Sequence, residues 1–326
     1  MKAAVVSRYG PPEVLEIKDV PAPVPGDGEV LVRVYASSVC YGDRLVRQGP
    51  LLVRLMNGLR RPKVSILGVD LAGTVAAVGK NVTRFAPGDE VFGSRGNKFG
   101  AHAEFTCVAE DGFLAKKPTN VTLEQAAPVF VGAACSLYFL RKARILAGER
   151  VLVHGASGSL GTFAVQLARH YGAHVTAVCG PANVDLVRSL GADIVIDYTQ
   201  QDFTRDGPVY DVICDILGKA GFPHSLRALV RGGRYLLVGF AGGVPAIATA
   251  LLRGAWAHMR RRAVFMAGPA VPVQADLEFL KTLIEAGQLR SVISRTYALR
   301  DIVEAHRHAD TDHKVGNVVV VIGDAV

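Results

Sequence analysis

From Arg150 onward the sequence alternates short apolar runs with amphipathic stretches, and few architectures accept that order. "RVLVHGAS", "HVTAVC", "DIVIDY", "YDVICDIL" and "GRYLLVGF" are short runs rich in Val, Ile and Leu. Runs of this kind are strands covered on both faces. Between them, "LGTFAVQLARHYG", "NVDLVRSLG" and "FPHSLRALV" space their apolar residues as helices do. Strands alternating with helices require right-handed βαβ crossovers and a parallel sheet, so this region reads as a doubly wound α/β domain.

The first strand-to-helix junction carries the chemistry. "VLVHGASGSLG" (151–161) places a Gly-rich turn between a strand and a helix, the context in which a dinucleotide fingerprint is credible. In the G-x-G-x-x-G frame it reads Ala156-x-Gly158-x-x-Gly161, with Ser157 in the turn. Gly158 is expected to admit a pyrophosphate against the backbone, and Gly161 to let the helix pack closely on the sheet. The amides of Ser159, Leu160 and Gly161 then face the phosphates from a helix N-terminus. The second strand ends in Cys179-Gly180-Pro181-Ala182, without the acid that would bind a ribose 2′-hydroxyl. That absence favours NADPH and leaves NADH open. Arg188 and Tyr198 are each within reach of a 2′-phosphate or are packing residues, and Gly239, closing "GRYLLVGF", is a further cofactor-contact candidate.

The first third differs. "EVLVRVYASSV" (29–39) alternates apolar and polar residues, and "DLAGTVAAVG", "GDEVFG" and "AHAEFTCVAE" follow as short strands divided by Gly and Pro turns. This is the pattern of a barrel-like β domain. Thr122 with Gln125 forms a capping box that opens a helical stretch. At the end, "DLEFLKTLIEAGQL" and "LRDIVEAHRHA" are helices and "GNVVVVIG" is a last strand returning to the first domain. At 326 residues the chain exceeds one ordinary core. The expected division is 1–121 for the first domain, 122–265 for the cofactor domain and 266–326 for the return.

Five cysteines stand far apart with no C-x-x-C pair, which excludes a zinc ribbon and fits reduced, buried thiols. No apolar run approaches the roughly 20 residues of a membrane span, and no secretory leader is evident, so the cytoplasm is the expected compartment. The net charge is +8, with cations bunched in "GLRRPK" (58–63) and "HMRRRA" (258–263). No aromatic residues interleave with these arginines, so nucleic acid is not expected; a solvated rim or an anionic membrane surface remains open.

Four stretches carry a resemblance: "GPPEVLEIKDVPAPVPGDGEVLVRVYASSV", "ILGVDLAGTVAAVGKNVTRFAPGDEVFG", "VLVHGASGSLGTFAVQLARHYGAHVTAVC" and "LGADIVIDYTQQDF". In this order and nearly end to end, the chain resembles the medium-chain dehydrogenase/reductase superfamily. The resemblance implies a GroES-like β-rich catalytic domain joined to a Rossmann domain. It also implies a choice between zinc alcohol dehydrogenases and zinc-free quinone or enone reductases. The zinc branch takes a cysteine at Cys40 and a histidine at the position of Val69, followed by an acid where Asp70 stands. Valine offers no ligand, and the four-cysteine lobe of that branch is missing, "VFGSRGNKFGAHAEF" crossing the region with His102 as an isolated histidine. No metal is therefore expected.

The zinc-free branch carries Asn, an aromatic or Pro, any residue, then Asp, where this chain has Cys40-Tyr41-Gly42-Asp43. A threonine often found near the nicotinamide falls on Ala134. By that resemblance Tyr41 and Asp43 are the catalytic candidates. Tyr41 either donates to the charge growing on a carbonyl oxygen or only lines the cleft. Asp43 either serves the site or caps a helix start. Without a Lewis acid the acceptor must already be activated, as quinones and enones are. The expected partner is a small electrophile, in a homodimer (with "GRYLLVGF" a candidate contact strand) or a monomer. An alcohol dehydrogenase of the same fold and a weakly active NADPH-sensing binding protein are the alternatives.

Overall fold

The computed structural model describes residues 1–239, 254, 262–311 and 314–323. Most of the basic run at 258–263 therefore lies outside the described residues. The chain forms two compact units, Met1–Ala134 with Val273–Val326, and Cys135–Pro272.

The first unit opens with β1 (Lys2–Val6) antiparallel to β2 (Leu15–Asp19). Then come β3 (Glu29–Ser38), β4 (Asp70–Val78), β5 (Glu90–Ser94), β6 (Phe105–Ala109) and β7 (Phe113–Lys116). In β3 the alternation of the sequence sends Val30, Val32 and Val34 inward, where they pack on Leu71, Val75, Phe85 and Leu114. Each such side chain contributes about 1.5–3 kcal/mol through burial. Between β3 and β4 the chain forms α1 (Tyr41–Gln48), which begins where Asp43 is open to reading as a helix-start residue, and α2 (Leu51–Asn57), which sequence reading does not anticipate. The capping box is present: Gln125 N donates to Thr122 Oγ1 (3.3 Å) and Thr122 N to Gln125 Oε1 (3.0 Å), starting α3 (Leu123–Ala126). A π turn follows at Phe130–Ala134.

The second unit starts with α4 (Cys135–Ala143). Its strands are β8 (Arg150–His154), β9 (His174–Cys179), β10 (Ile194–Asp197), β11 (Tyr210–Asp215), β12 (Leu229–Leu237) and β13 (Ala263–Ala267). They form one parallel sheet in the order β10-β9-β8-β11-β12-β13. Numbered from β8, that is 3-2-1-4-5-6, which puts the topological switch between β8 and β11 and a ligand crevice at their carboxyl ends. Within it, α5 (Ser159–His170) follows β8. Of "GRYLLVGF", Gly233–Leu237 lie in β12 inside this sheet, paired on both sides by β11 and β13, so they do not offer the free edge that a contact strand needs.

The chain returns to the first unit through the helix Gln274–Glu285, β14 (Ile293–Ala298), the helix Ile302–Asp310 and β15 (Asn317–Val321). There the sheet order is β14-β15-β3-β4-β5-β7, with β6 on β3. One helical stretch, Leu123–Ala143, has the length and apolar composition of a membrane span, contrary to the expectation that no run comes near it. Two thirds of its most apolar window (67%) is buried inside the fold, as in a core helix.

Candidate functional site

The head of α5 has the geometry a phosphate needs. Gly158 is the N-cap in an extended conformation, and the first intrahelical bond runs from Thr162 N to Gly158 O (3.0 Å). The amides of the first turn therefore precede the helical ladder and lie at the positive end of the helix dipole. A side chain at Gly158 would meet nothing nearer than Gly155 O at 3.6 Å, so the surface there is open. At Gly161 a Cβ would lie 2.1 Å from Gly155 O and 2.8 Å from Ala156 Cα, so only glycine lets the helix sit this close to the turn. Leu160 O accepts from Ser136 Oγ (3.0 Å), which ties the turn to α4.

Beside this turn a cleft of about 480 Å³ is lined by His154, Val178, Tyr198, Phe203, Lys219 and His224, among others. Cys179 is paired with Asp197 where β9 and β10 end. Its thiol is buried and pushed up to about 11, by burial and then by the Asp197 charge, so only its backbone is offered. A Cβ at Gly180 would lie 3.5 Å from the Tyr198 hydroxyl, which puts Gly180 and Tyr198 side by side at this corner. Arg188 is turned instead toward Asp185 (2.9 Å). Gly239 abuts the 216–217 backbone; a Cβ there would come 2.2 Å from Ile216 O.

Sequence reading missed what shapes the far wall. Asp215 is fully buried at the end of β11 and accepts from Tyr235 Oη (2.7 Å), Gly218 N (2.9 Å) and Ala220 N (3.0 Å), with His154 Nδ1 at 3.4 Å. It pins the loop that carries Leu217 and Lys219. Only the position of an acid at a strand end hinted at this in the sequence.

In the first unit, Asp43 is fully buried, with Oδ2 accepting from Cys40 N (2.9 Å) and Oδ1 from Gly68 N (2.7 Å). Both oxygens thus tie the start of α1 to the segment before β4. Tyr41, the first residue of α1, is 50% exposed. Cys40 packs against the cluster containing Val69 and Phe99; burial, reinforced by the Asp43 and Asp70 carboxylates, pushes its thiol well up and leaves no nucleophile. Asp70 is 1% exposed. Its Oδ2 accepts from Ser38 Oγ (2.7 Å), its Oδ1 from Val131 N in the π turn (3.1 Å), and its carbonyl from Ser37 Oγ (2.6 Å). Burial, with a smaller push from Asp43, raises its carboxyl to about 8. Ala134 closes the same π turn, fully buried. His102 is not isolated: Nε2 lies 3.2 Å from Ser38 O, and the ring meets His306 edge-on at 5.7 Å. Among the described residues no group of three His, Cys, Asp or Glu side chains is placed to hold a metal ion.

Comparisons with known proteins agree with this architecture. Residues 26–119 match the alcohol dehydrogenase GroES-like domain, and residues 190–320 match the zinc-binding dehydrogenase family. A quinone oxidoreductase of Pseudomonas aeruginosa is 33% identical across 97% of this chain and 98% of its own length. An NADPH-dependent alkenal/one oxidoreductase (chloroplastic) of Arabidopsis thaliana is 30% identical across 98% and 79%. The solved quinone oxidoreductase of Coxiella burnetii has a TM-score of 0.86 at 28% identity, covering 99% of each chain. A β-rich GroES-like unit with a 3-2-1-4-5-6 parallel sheet defines an oxidoreductase with a dinucleotide-binding domain. The chain belongs to the medium-chain dehydrogenase/reductase family.

Proposed function

We propose that this chain transfers a hydride from NADPH to a quinone or an α,β-unsaturated carbonyl, and that it does so without zinc. The observation that carries the cofactor part is the cradle at Gly158 and Gly161, open to a pyrophosphate at one glycine and closed to any side chain at the other. The β9 end supports NADPH over NADH. β9 itself ends without an acid to take a ribose 2′-hydroxyl, the nearby carboxylates being Asp197 at the end of β10 and Asp202 in the cleft wall; the Tyr198 hydroxyl lies beside Gly180, and Lys219 lines the same cleft. The relatives named above, which act by their names on quinones and alkenals or alkenones, favour the same acceptor class.

Zinc does not fit the donors present. Val69 offers no ligand atom and belongs to an apolar cluster. Asp70 and Asp43 are occupied by hydroxyl and backbone donors, which leaves Cys40 without converging partners among the described residues. Zinc requires a deprotonated, converging set of three or four ligands.

When bound, NADPH supplies the hydride, and an acceptor already polarised by conjugation needs no Lewis acid to receive it. The Tyr41 hydroxyl, at the exposed start of α1, donates to the oxygen on which charge develops, and water supplies the proton. Asp43 is a positioning residue: by holding Cys40 N and Gly68 N it sets where α1, and so Tyr41, begins.

The test is loss of absorbance at 340 nm with NADPH, and separately NADH, on EDTA-stripped protein against quinones, enones and, in the reverse direction, simple alcohols. Turnover of quinones or enones with NADPH that survives EDTA is expected. Alcohol oxidation that needs added zinc would establish the alcohol dehydrogenase reading. NADPH binding without turnover of any acceptor would establish the binding-protein reading.

A further inference from the structure

We infer that the α2 segment is a docking surface for an anionic lipid bilayer. Leu51, Leu52, Leu55 and Met56 recur at i and i+4 along α2, so they share one face, and they are 72%, 56%, 63% and 78% exposed. Leu59, just past the helix, is 62% exposed and extends the patch. A contiguous exposed apolar patch of this kind marks an interaction site rather than an ordinary surface.

The charge around it selects the partner. From Arg44 to Val69 the chain contains six Lys and Arg residues and no acid. Arg44 and Arg47 are paired with Asp310, and Arg54 donates to Gly49 O (2.6 Å) while covering the Tyr9 ring. Arg60, Arg61 and Lys63 are exposed and have no carboxylate partner among the described residues. Leucines and a methionine beside unneutralised cations, with no acid nearby, complement a surface that is apolar below and anionic at its face. This surface is independent of the hydride-transfer reading, and its test reads binding rather than turnover.

The full chain is floated with vesicles of phosphatidylcholine alone or mixed with phosphatidylglycerol. Binding to the mixed vesicles only, weakened by salt, is expected. Arg60→Gln/Arg61→Gln/Lys63→Gln should lower partition by about 100-fold, because each cation near an anionic leaflet is worth roughly a factor of five. Leu55→Gln/Met56→Gln should also lower it, with thermal melting little changed in both variants because every altered side chain is exposed and glutamine is a helix former. Absence of binding, equal binding to neutral vesicles, or variants that bind as the parent does would overturn the inference. So would a self-associated species in sedimentation velocity that Leu55→Gln/Met56→Gln abolishes, since the patch would then face a second copy.

Discussion

Adding one methyl group at Gly158 or at Gly161 separates the two roles assigned to the cofactor turn. In Gly161→Ala the new Cβ falls 2.1 Å from Gly155 O and 2.8 Å from Ala156 Cα. These are backbone atoms of the strand-to-helix turn and cannot rotate aside, so α5 must shift outward. Overpacking of this sort costs about 1–3 kcal/mol, which lowers the melting temperature by roughly 2–4 °C per kcal/mol in a domain of this size. In Gly158→Ala the nearest neighbour is 3.6 Å away and the backbone is extended (φ −79°, ψ 179°), a conformation open to alanine. Its stability should hold, or rise by about 0.4–1 kcal/mol through the stiffer unfolded chain. Its NADPH affinity should nonetheless fall about tenfold or more, since one methyl in a fitted contact costs at least that. Thermal melting and fluorescence titration of NADPH measure the two effects separately. A Gly161→Ala protein that melts like the parent, or a Gly158→Ala protein that binds NADPH like the parent, would refute the assignment.

Other substitutions test the first unit. Burial holds Asp70 at about 8, against roughly 4 for an unfolded aspartate. Between those values the folded protein keeps a proton that the unfolded chain has lost, so stability falls as pH rises, by up to about 1.4 kcal/mol per pH unit. Asp70→Asn should remove that slope, because the amide can still accept from Val131 N and pair with Ser38. Urea melts of parent and variant across pH 5–8, compared as a difference, check this and cancel the opposite slope from buried His306, whose ring is held well below the ordinary range by burial. Asp43→Ala leaves the Cys40 and Gly68 amides without their acceptor and should cost about 1–3 kcal/mol for each amide that stays buried. That loss is read in a denaturant melt. Tyr41→Phe should leave melting unchanged, because the side chain is half exposed, and lower kcat by about tenfold or more with little change in KM; steady-state kinetics with an enone measures it.

The parallel sheet was legible because its strands are buried on both faces, and such strands must be continuous apolar runs. The Gly-rich turn was legible because Gly161 has a steric reason to exist and Gly158 leaves the surface at the helix head open. Residues 40–63 were not, since α1 and α2 lack the apolar stripe of a core-facing helix: α2 turns its leucines outward, and α1 is ordered by a carboxylate reaching Gly68, 25 positions on. The Asp215 network was equally hidden. Its partners, His154 and Tyr235, come from strands that only the sheet order makes neighbours. For Asp70 the sequence showed an acid in an apolar strand, but its neutral partners, Ser38 and Val131, lie 32 and 61 positions away.

The central claim is hydride transfer to a conjugated acceptor without a metal, and isotope transfer tests it most directly. EDTA-stripped protein is given an enone and NADPH deuterated on the transferable face of C4, and the product is examined by mass spectrometry and proton NMR. The C4–D bond should break with its electron pair, leaving NADP⁺, and one deuterium should appear at the β-carbon while the α-carbon takes its proton from water. Product lacking deuterium, or turnover that disappears with EDTA and returns with zinc, would contradict the account.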